Sequence, residues 1–201
     1  MADKSNEIKD VQPIRNKDDI EKMKEVLKTR PWLNPLVDTS HYVVNRDYIL
    51  FMVGINTGLR IGDLLKLKVK QVKDKSRFMV KEGKTQKPRE IWINDNLRGE
   101  INEYIKTLPK GCEWLFPSRQ GDKPITPVQA WRILNKGAEY AGLESVGTHT
   151  LRKTFGYWHY KQFKDVAELQ EILNHSHPQI TLRYIGITKE QIQNNLKQFE
   201  L

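Results

Sequence analysis

Between His41 and Asn56 the chain reads HYVVNRDYILFMVGIN, a stretch that is apolar nearly all the way round a helical wheel. A helix on the surface of a globular protein needs only one apolar stripe, so a segment like this has to be wrapped by other elements. It cannot be wrapped by lipid, because no apolar run reaches the ~18 residues a membrane span needs, and the longest lies around Tyr48–Val53. The pattern predicts a buried central helix ending at Gly58, a residue suited to the left-handed turn that closes helices. The rest of the 201 residues must then pack around it. A chain of this length suits one domain and buries ~70% of its unfolded surface.

The surroundings of that helix are also predominantly helical. Residues 1–15 read as a polar, mobile leader. From Asn16 onward Ile20, Met23, Val26 and Leu27 recur at helical spacing until Pro31 stops the pattern. A short helix follows Gly58, with Leu64, Leu65 and Leu67 facing inward. The period then changes: Arg77–Lys81 and Arg89–Ile93 alternate, with Phe78, Val80, Ile91 and Ile93 on one side, and the polar EGKTQKP between them predicts a hairpin. Helical spacing resumes at Asp95–Leu108. Thr126–Pro127 opens a further helix, and after Gly142 come helices over His149–Phe163, Asp165–Leu173, Pro178–Tyr184 and Lys189–Phe199. The expected fold class is mainly α with one small antiparallel sheet. Trp92, Trp114, Trp131, Phe155 and Trp158 are assigned to core or interface.

Charge points to a partner. The chain carries 34 Lys+Arg against 25 Asp+Glu, a net +9, and residues 60–92 alone contribute +7 through 11 Lys+Arg and 4 Asp+Glu. A concentrated basic patch attracts polyanions, and nucleic acid is the commonest inside cells. The single Cys112 excludes a disulfide framework and a Cys-rich zinc site, and the amino terminus MADKSNEIKD lacks the apolar core of a signal peptide. The expectation is a soluble protein of the reducing cytoplasm.

Four segments carry chemically useful side chains: TGLRIGDLLKL with Arg60, EGKTQKPREI with Lys84, THTLRKTF with His149 and Arg152, and LNHSHPQITLRYIG with His175 and Tyr184. His149 and Arg152 are three apart on one expected helix and so share a face. His175 and Tyr184 bracket a Ser-His-Pro break that returns the tyrosine toward the preceding helix end. This set suits metal-free attack on a phosphodiester. Two planar, permanently charged guanidinium groups can clamp the non-bridging oxygens, a tyrosine can attack if a base or cationic field assists it, and a lysine or histidine can protonate the leaving oxygen. Taken singly, each residue is more often structural.

In order and spacing the Gly58-Leu59-Arg60-Ile61 turn with Asp63, the His149-x-x-Arg152 pair, and His175-Ser176 followed by Thr181 and Tyr184 resemble the catalytic core of the tyrosine recombinase (phage integrase) family. The resemblance runs from about residue 17 to the carboxyl end. It implies that residues 16–201 form one catalytic domain, and that Arg60 and Arg152 hold the scissile phosphate. Tyr184 then attacks to give a 3′-phosphotyrosyl link, His149 is general acid/base, and His175 hydrogen-bonds the phosphate and positions the nucleophile. Lys84 protonates the 5′-oxygen, with Lys87 as a rival, and Asp63 supports the site. The energy of the broken bond is kept in the protein–DNA ester, so no cofactor, nucleotide or metal is expected, in agreement with the absence of a GxxxxGK[ST] loop. The implied partner is double-stranded DNA, on which a homo-tetramer assembles through the tail helix of residues 185–201, in a prokaryotic or phage setting.

Two departures stand out. Only ~40 residues precede the central helix, too few for the helical clamp domain that many relatives carry. The expectation is a catalytic-domain-only member or a fragment, with a DNA affinity that leans on partners. Asn174 stands where many relatives have glycine, a mild change if the backbone there is left-handed. The tail stripe of Ile187, Ile192, Leu196 and Phe199 either docks on a neighbouring protomer or folds back on its own. A type IB topoisomerase and a non-catalytic DNA-binding module derived from a recombinase are the competing functions.

Overall fold

The structure, a computed structural model, describes residues 11–32, 41–119 and 122–200, without the side chains of 41–44, 189–192 and 195. The first helix, α1 (Lys17–Thr29), starts where the Asn16 side chain accepts the Asp18 N–H. It ends where Arg30 turns left-handed at φ 45° and its N–H returns to the Val26 carbonyl. Met23 and Leu27 of α1 are fully buried. The central helix α2 (His41–Thr57) has nine consecutive buried residues, 46–54, whose large apolar members are Tyr48–Val53. It is closed in by α1, by α5 (Asp95–Thr107) and by α7 (Thr148–Phe163). At Gly54 the approach of α7 is so close that a Cβ would stand 2.5 Å from Leu151 Cδ1.

After Gly58 come two single turns, α3 (Ile61–Leu64) and α4 (Val69–Val72), with Leu64, Leu65 and Leu67 buried as the spacing requires. Strands β1 (Arg77–Lys81) and β2 (Pro88–Trp92) pair antiparallel with Phe78 opposite Ile91 and Val80 opposite Arg89. Strand β2 starts and ends one residue earlier than the sequence pattern predicts. Helix α6 (Pro127–Ala141) opens with the expected cap: Thr126 Oγ1 accepts the Gln129 N–H and Gln129 Oε1 accepts the Thr126 N–H. The chain closes with α8 (Val166–Ile172), α9 (Pro178–Tyr184) and α10 (Ile187–Gln198).

Two apolar clusters result among the described residues. The larger surrounds α2, and the smaller gathers Tyr157, Leu169, Leu173, Ile185 and Ile187 where α7, α8, α9 and the start of α10 meet.

Three expectations need correction. The described part of the leader is docked rather than mobile: Ile14 is buried, its N–H donates to Thr154 Oγ1 at 2.9 Å, and its carbonyl accepts from Trp158 Nε1. Residues 1–10 lie outside the described residues. Of the core-or-interface assignment, only the core half falls for Trp92 and Trp131, which are 62% and 49% exposed. Trp92 lies on the outer face of the hairpin, where the Arg77 guanidinium sits 5.3 Å from its ring centre.

Candidate active site

The site begins with how α2 stops. Gly58 adopts φ +61°, and a Cβ there would collide with Phe155 of α7. The left-handed turn lets the chain reverse into Leu59–Arg60 and aims the Gly58 carbonyl at α7. Arg152, only 2% exposed, donates from Nη1 to that carbonyl at 2.5 Å and from Nη2 to the Leu173 carbonyl at 2.6 Å. One guanidinium thus ties the ends of α2 and α8 together. Burial and the neighbouring Arg60 bring its pKa down to about 10, which leaves it charged at neutral pH.

Arg60 is held from the hairpin side. Its Nη1 donates to Glu82 Oε2 at 2.7 Å, and that oxygen also accepts from Thr85 Oγ1 at 3.0 Å and Asn174 Nδ2 at 3.3 Å. Arg89 approaches the other Glu82 oxygen at 3.6 Å and donates to the Thr57 carbonyl at 2.9 Å. Burial alone would raise the Glu82 carboxyl, but the hydrogen bonds from Arg60 and Asn174 and the Arg60 charge outweigh it and hold the group below its ordinary value. Burial also lowers the Arg89 pKa, against the pull of Glu82. Asp63 Oδ1 accepts the Gly83 N–H at 2.8 Å, which anchors the hairpin turn beside Lys84.

The remaining groups come from the last third of the chain. Helix α8 ends with the His175 N–H on the Gln170 carbonyl and the Asn174 N–H on the Glu171 carbonyl, with Asn174 left-handed at φ 49°. This is a Schellman cap with asparagine in the glycine position, and its side chain gains the bond to Glu82. His175 Nδ1 lies 3.0 Å from Thr181 Oγ1, and its ring meets the Tyr184 ring edge-on at 5.1 Å between centres. Burial, then the charges of Arg152, Arg60 and Lys84, push the His175 pKa down to about 4. Burial raises the Tyr184 hydroxyl, against the opposing charges of Arg152 and Arg60 and a hydrogen bond from Arg152. His149, in the first turn of α7 and open to solvent, is lowered by partial burial and by Lys153, Arg152 and Arg60.

The structure therefore gathers Arg60, Arg152, His149, His175 and Tyr184 around one cationic centre. Lys84 and Lys87 are both exposed on the hairpin loop, and the Lys84 charge is among those that lower His175. Sequence reasoning missed Glu82 and Arg89. The signal was present, because the alternation that buries Phe78 and Val80 also turns Glu82 inward, and pairing with Val80 does the same for Arg89. Among the described residues no group of three or more His, Cys, Asp or Glu side chains is placed to hold a metal, and no helix is long and apolar enough to cross a membrane.

A model of the phage integrase family matches residues 17–191, most of the chain and all of these segments. The chain belongs to the phage integrase family. Within this family of tyrosine recombinases it is 47% identical over 189 residues to a probable integrase/recombinase of Bacillus subtilis, YoeC, across 94% of this chain and 97% of that protein. It is 28% identical over 159 residues to the tyrosine recombinase XerA of Pyrococcus horikoshii, across 78% of this chain but 55% of that protein. This integrase-family chain thus matches YoeC over nearly its full length and spans about half of XerA. Its fold resembles the XerH site-specific recombinase in a post-cleavage complex with its palindromic difH substrate. That likeness has a TM-score of 0.72 at 21% identity and covers 98% of this chain and 55% of that one.

Proposed function

We propose that this chain is a site-specific DNA recombinase that cleaves and rejoins strands through a 3′-phosphotyrosyl intermediate. The observation that carries the reading is the seating of Tyr184 edge-on against the His175 ring, 5.1 Å between centres, within the field of the Arg152 and Arg60 charges. In the proposed reaction Tyr184 Oη bonds to phosphorus as the P–O5′ bond breaks, and Arg60 and Arg152 balance the charge that grows on the non-bridging oxygens. His149 takes the tyrosine proton, since its lowered pKa keeps it neutral and able to accept at pH 7. His175 is neutral too. Its Nδ1 is paired with the Thr181 hydroxyl, which leaves the other ring nitrogen to face the phosphate, and in the proposed reaction that nitrogen carries the proton and donates. Lys84 gives a proton to the departing 5′-oxygen, with Lys87 on the same exposed loop as its rival. The reverse sequence, with a 5′-hydroxyl from another strand, completes the exchange without nucleotide or metal.

Double-stranded DNA is the proposed partner, drawn by the basic window of residues 60–92. The tail supports assembly on DNA as a homo-oligomer. Ile185 and Ile187 root it in its own chain, whereas Leu196 and Phe199 are each 68% exposed and available to a second copy.

The test uses duplexes selected for binding from a randomised pool, then nicked so that the short 5′-hydroxyl product diffuses away. A covalent adduct that is lost in Tyr184→Phe supports the recombinase. Tight binding of the selected duplex with no adduct points to a non-catalytic module, and relaxation of supercoiled plasmid of unrelated sequence points to a type IB topoisomerase.

A further inference from the structure

The segment ahead of α1 runs along α7 and reaches the turn that follows Tyr184. Val11 lies within van der Waals reach of Gly147, where α7 begins. Ile14 satisfies both its backbone groups on α7, through Thr154 and Trp158, each at 2.9 Å. Lys17 sits 5.4 Å above the Trp158 ring centre. Between them Arg15 lies 5.8 Å from the Tyr157 ring centre, donates from Nη2 to Gln12 Oε1 at 3.1 Å, and lies against Gly186, where an added Cβ would collide with that same Nη2.

Gly186, at φ +76°, is the turn between α9 and α10 and lies two residues beyond Tyr184. Helix α9 has only seven residues, so the placement of its ends decides where the tyrosine points. Its start is held by the cap around His175 and Thr181. Its end is held by the buried Ile185 and, from outside, by Arg15. The register of the strap is fixed, since sliding it would strip partners from the buried Ile14 N–H and Thr154 hydroxyl.

We propose that residues 11–17 form a strap that positions Tyr184, with Arg15 as the positioning residue acting through Gly186. The proposal rests on the reading of Tyr184 as nucleophile. Arg15 touches no reacting atom; it limits the turn through which the tyrosine is joined to the tail. A displacement of the attacking oxygen by about 1 Å is enough to slow such a reaction by up to a hundredfold.

Full-length wild type, Arg15→Ala and Thr154→Val are compared on the nicked duplex selected with the wild-type chain. The readouts are the single-turnover rate of adduct formation at saturating DNA and, separately, the Kd for the same duplex. Arg15 is exposed, so its truncation leaves the core intact, and it keeps the test available should Thr154→Val fail to fold. The expected result is a rate lowered about tenfold or more in both variants with Kd unchanged. A wild-type rate in Arg15→Ala, or a loss that appears in Kd instead, overturns the strap while leaving the nucleophile assignment standing. Absence of adduct from the wild type overturns both.

Discussion

Glu82 and Arg60 meet at 2.7 Å in a part of the hairpin where the carboxylate is almost wholly removed from solvent. The ion pair fixes one edge of the guanidinium against protein and leaves the rest of the fork for an anion, as a phosphate clamp requires. Glu82→Gln keeps the shape but leaves the Arg60 and Arg89 charges without their buried counter-charge. It is expected to destabilise the fold by about 3 kcal/mol, measured by urea denaturation at pH 7, and to slow adduct formation. Because the folded-state pKa of Glu82 lies below its unfolded value, its stabilising share is complete above about pH 4.3 and is lost as pH falls further. The wild-type curve should therefore drop in that range more steeply than the Glu82→Gln curve.

Gly58→Ala places a methyl group on Phe155 in a left-handed backbone. The conformation costs about 1–2 kcal/mol and the overlap about 1–3 more. The damage should reach the site, since the Gly58 carbonyl is the acceptor that orients Arg152. Thermal denaturation should show the lowered Tm, and the adduct rate measured well below that Tm should still be reduced.

With its pKa pushed to about 4, His175 is neutral throughout the physiological range. The sign follows from proton counting: between about pH 6.5 and pH 4 the unfolded chain binds a proton that the folded chain refuses, so stability from this group is lost as pH falls through that window. NMR of the His175 ring should show no titration between pH 7.5 and 5.5. A midpoint near 6.5 would contradict the burial and the flanking cations as its cause.

Much of this arrangement could be read from local pattern. The all-round apolar run required a wrapped helix, and Pro178 at a first helical position gave α9 its bounds, Pro178–Tyr184. Alternation placed Phe78, Val80, Ile91 and Ile93 inward. What escaped depends on contacts between distant segments. The bond from Asn174 to Glu82 joins residues 92 apart, and nothing near Ile14 signals that Thr154 will accept its N–H. Trp92 stays outside because Arg77 lies over its ring and its Nε1 donates to Glu90, which satisfies both its apolar face and its polar edge at the surface.

The choice between Lys84 and Lys87 rests on reach, and chemistry can decide it. A general acid matters only when the leaving oxygen needs a proton, so replacing the bridging 5′-oxygen by sulfur, whose thiolate leaves unaided, removes the need. On ordinary nicked DNA Lys84→Ala is expected to lower the adduct rate by about 10²–10⁴-fold, the usual worth of such catalysis, while Lys87→Ala stays near wild type. On the sulfur-bridged duplex Lys84→Ala should recover and Tyr184→Phe should not. Asp63 adds a second check, because its bond to the Gly83 N–H positions the same loop. Asp63→Asn can still accept that N–H and should retain most of the rate, whereas Asp63→Ala frees the turn and should show a milder version of the Lys84→Ala defect, rescued by the same sulfur substitution. If Lys87→Ala instead carries the sulfur-rescued defect, the loop delivers the other ammonium and the roles are exchanged.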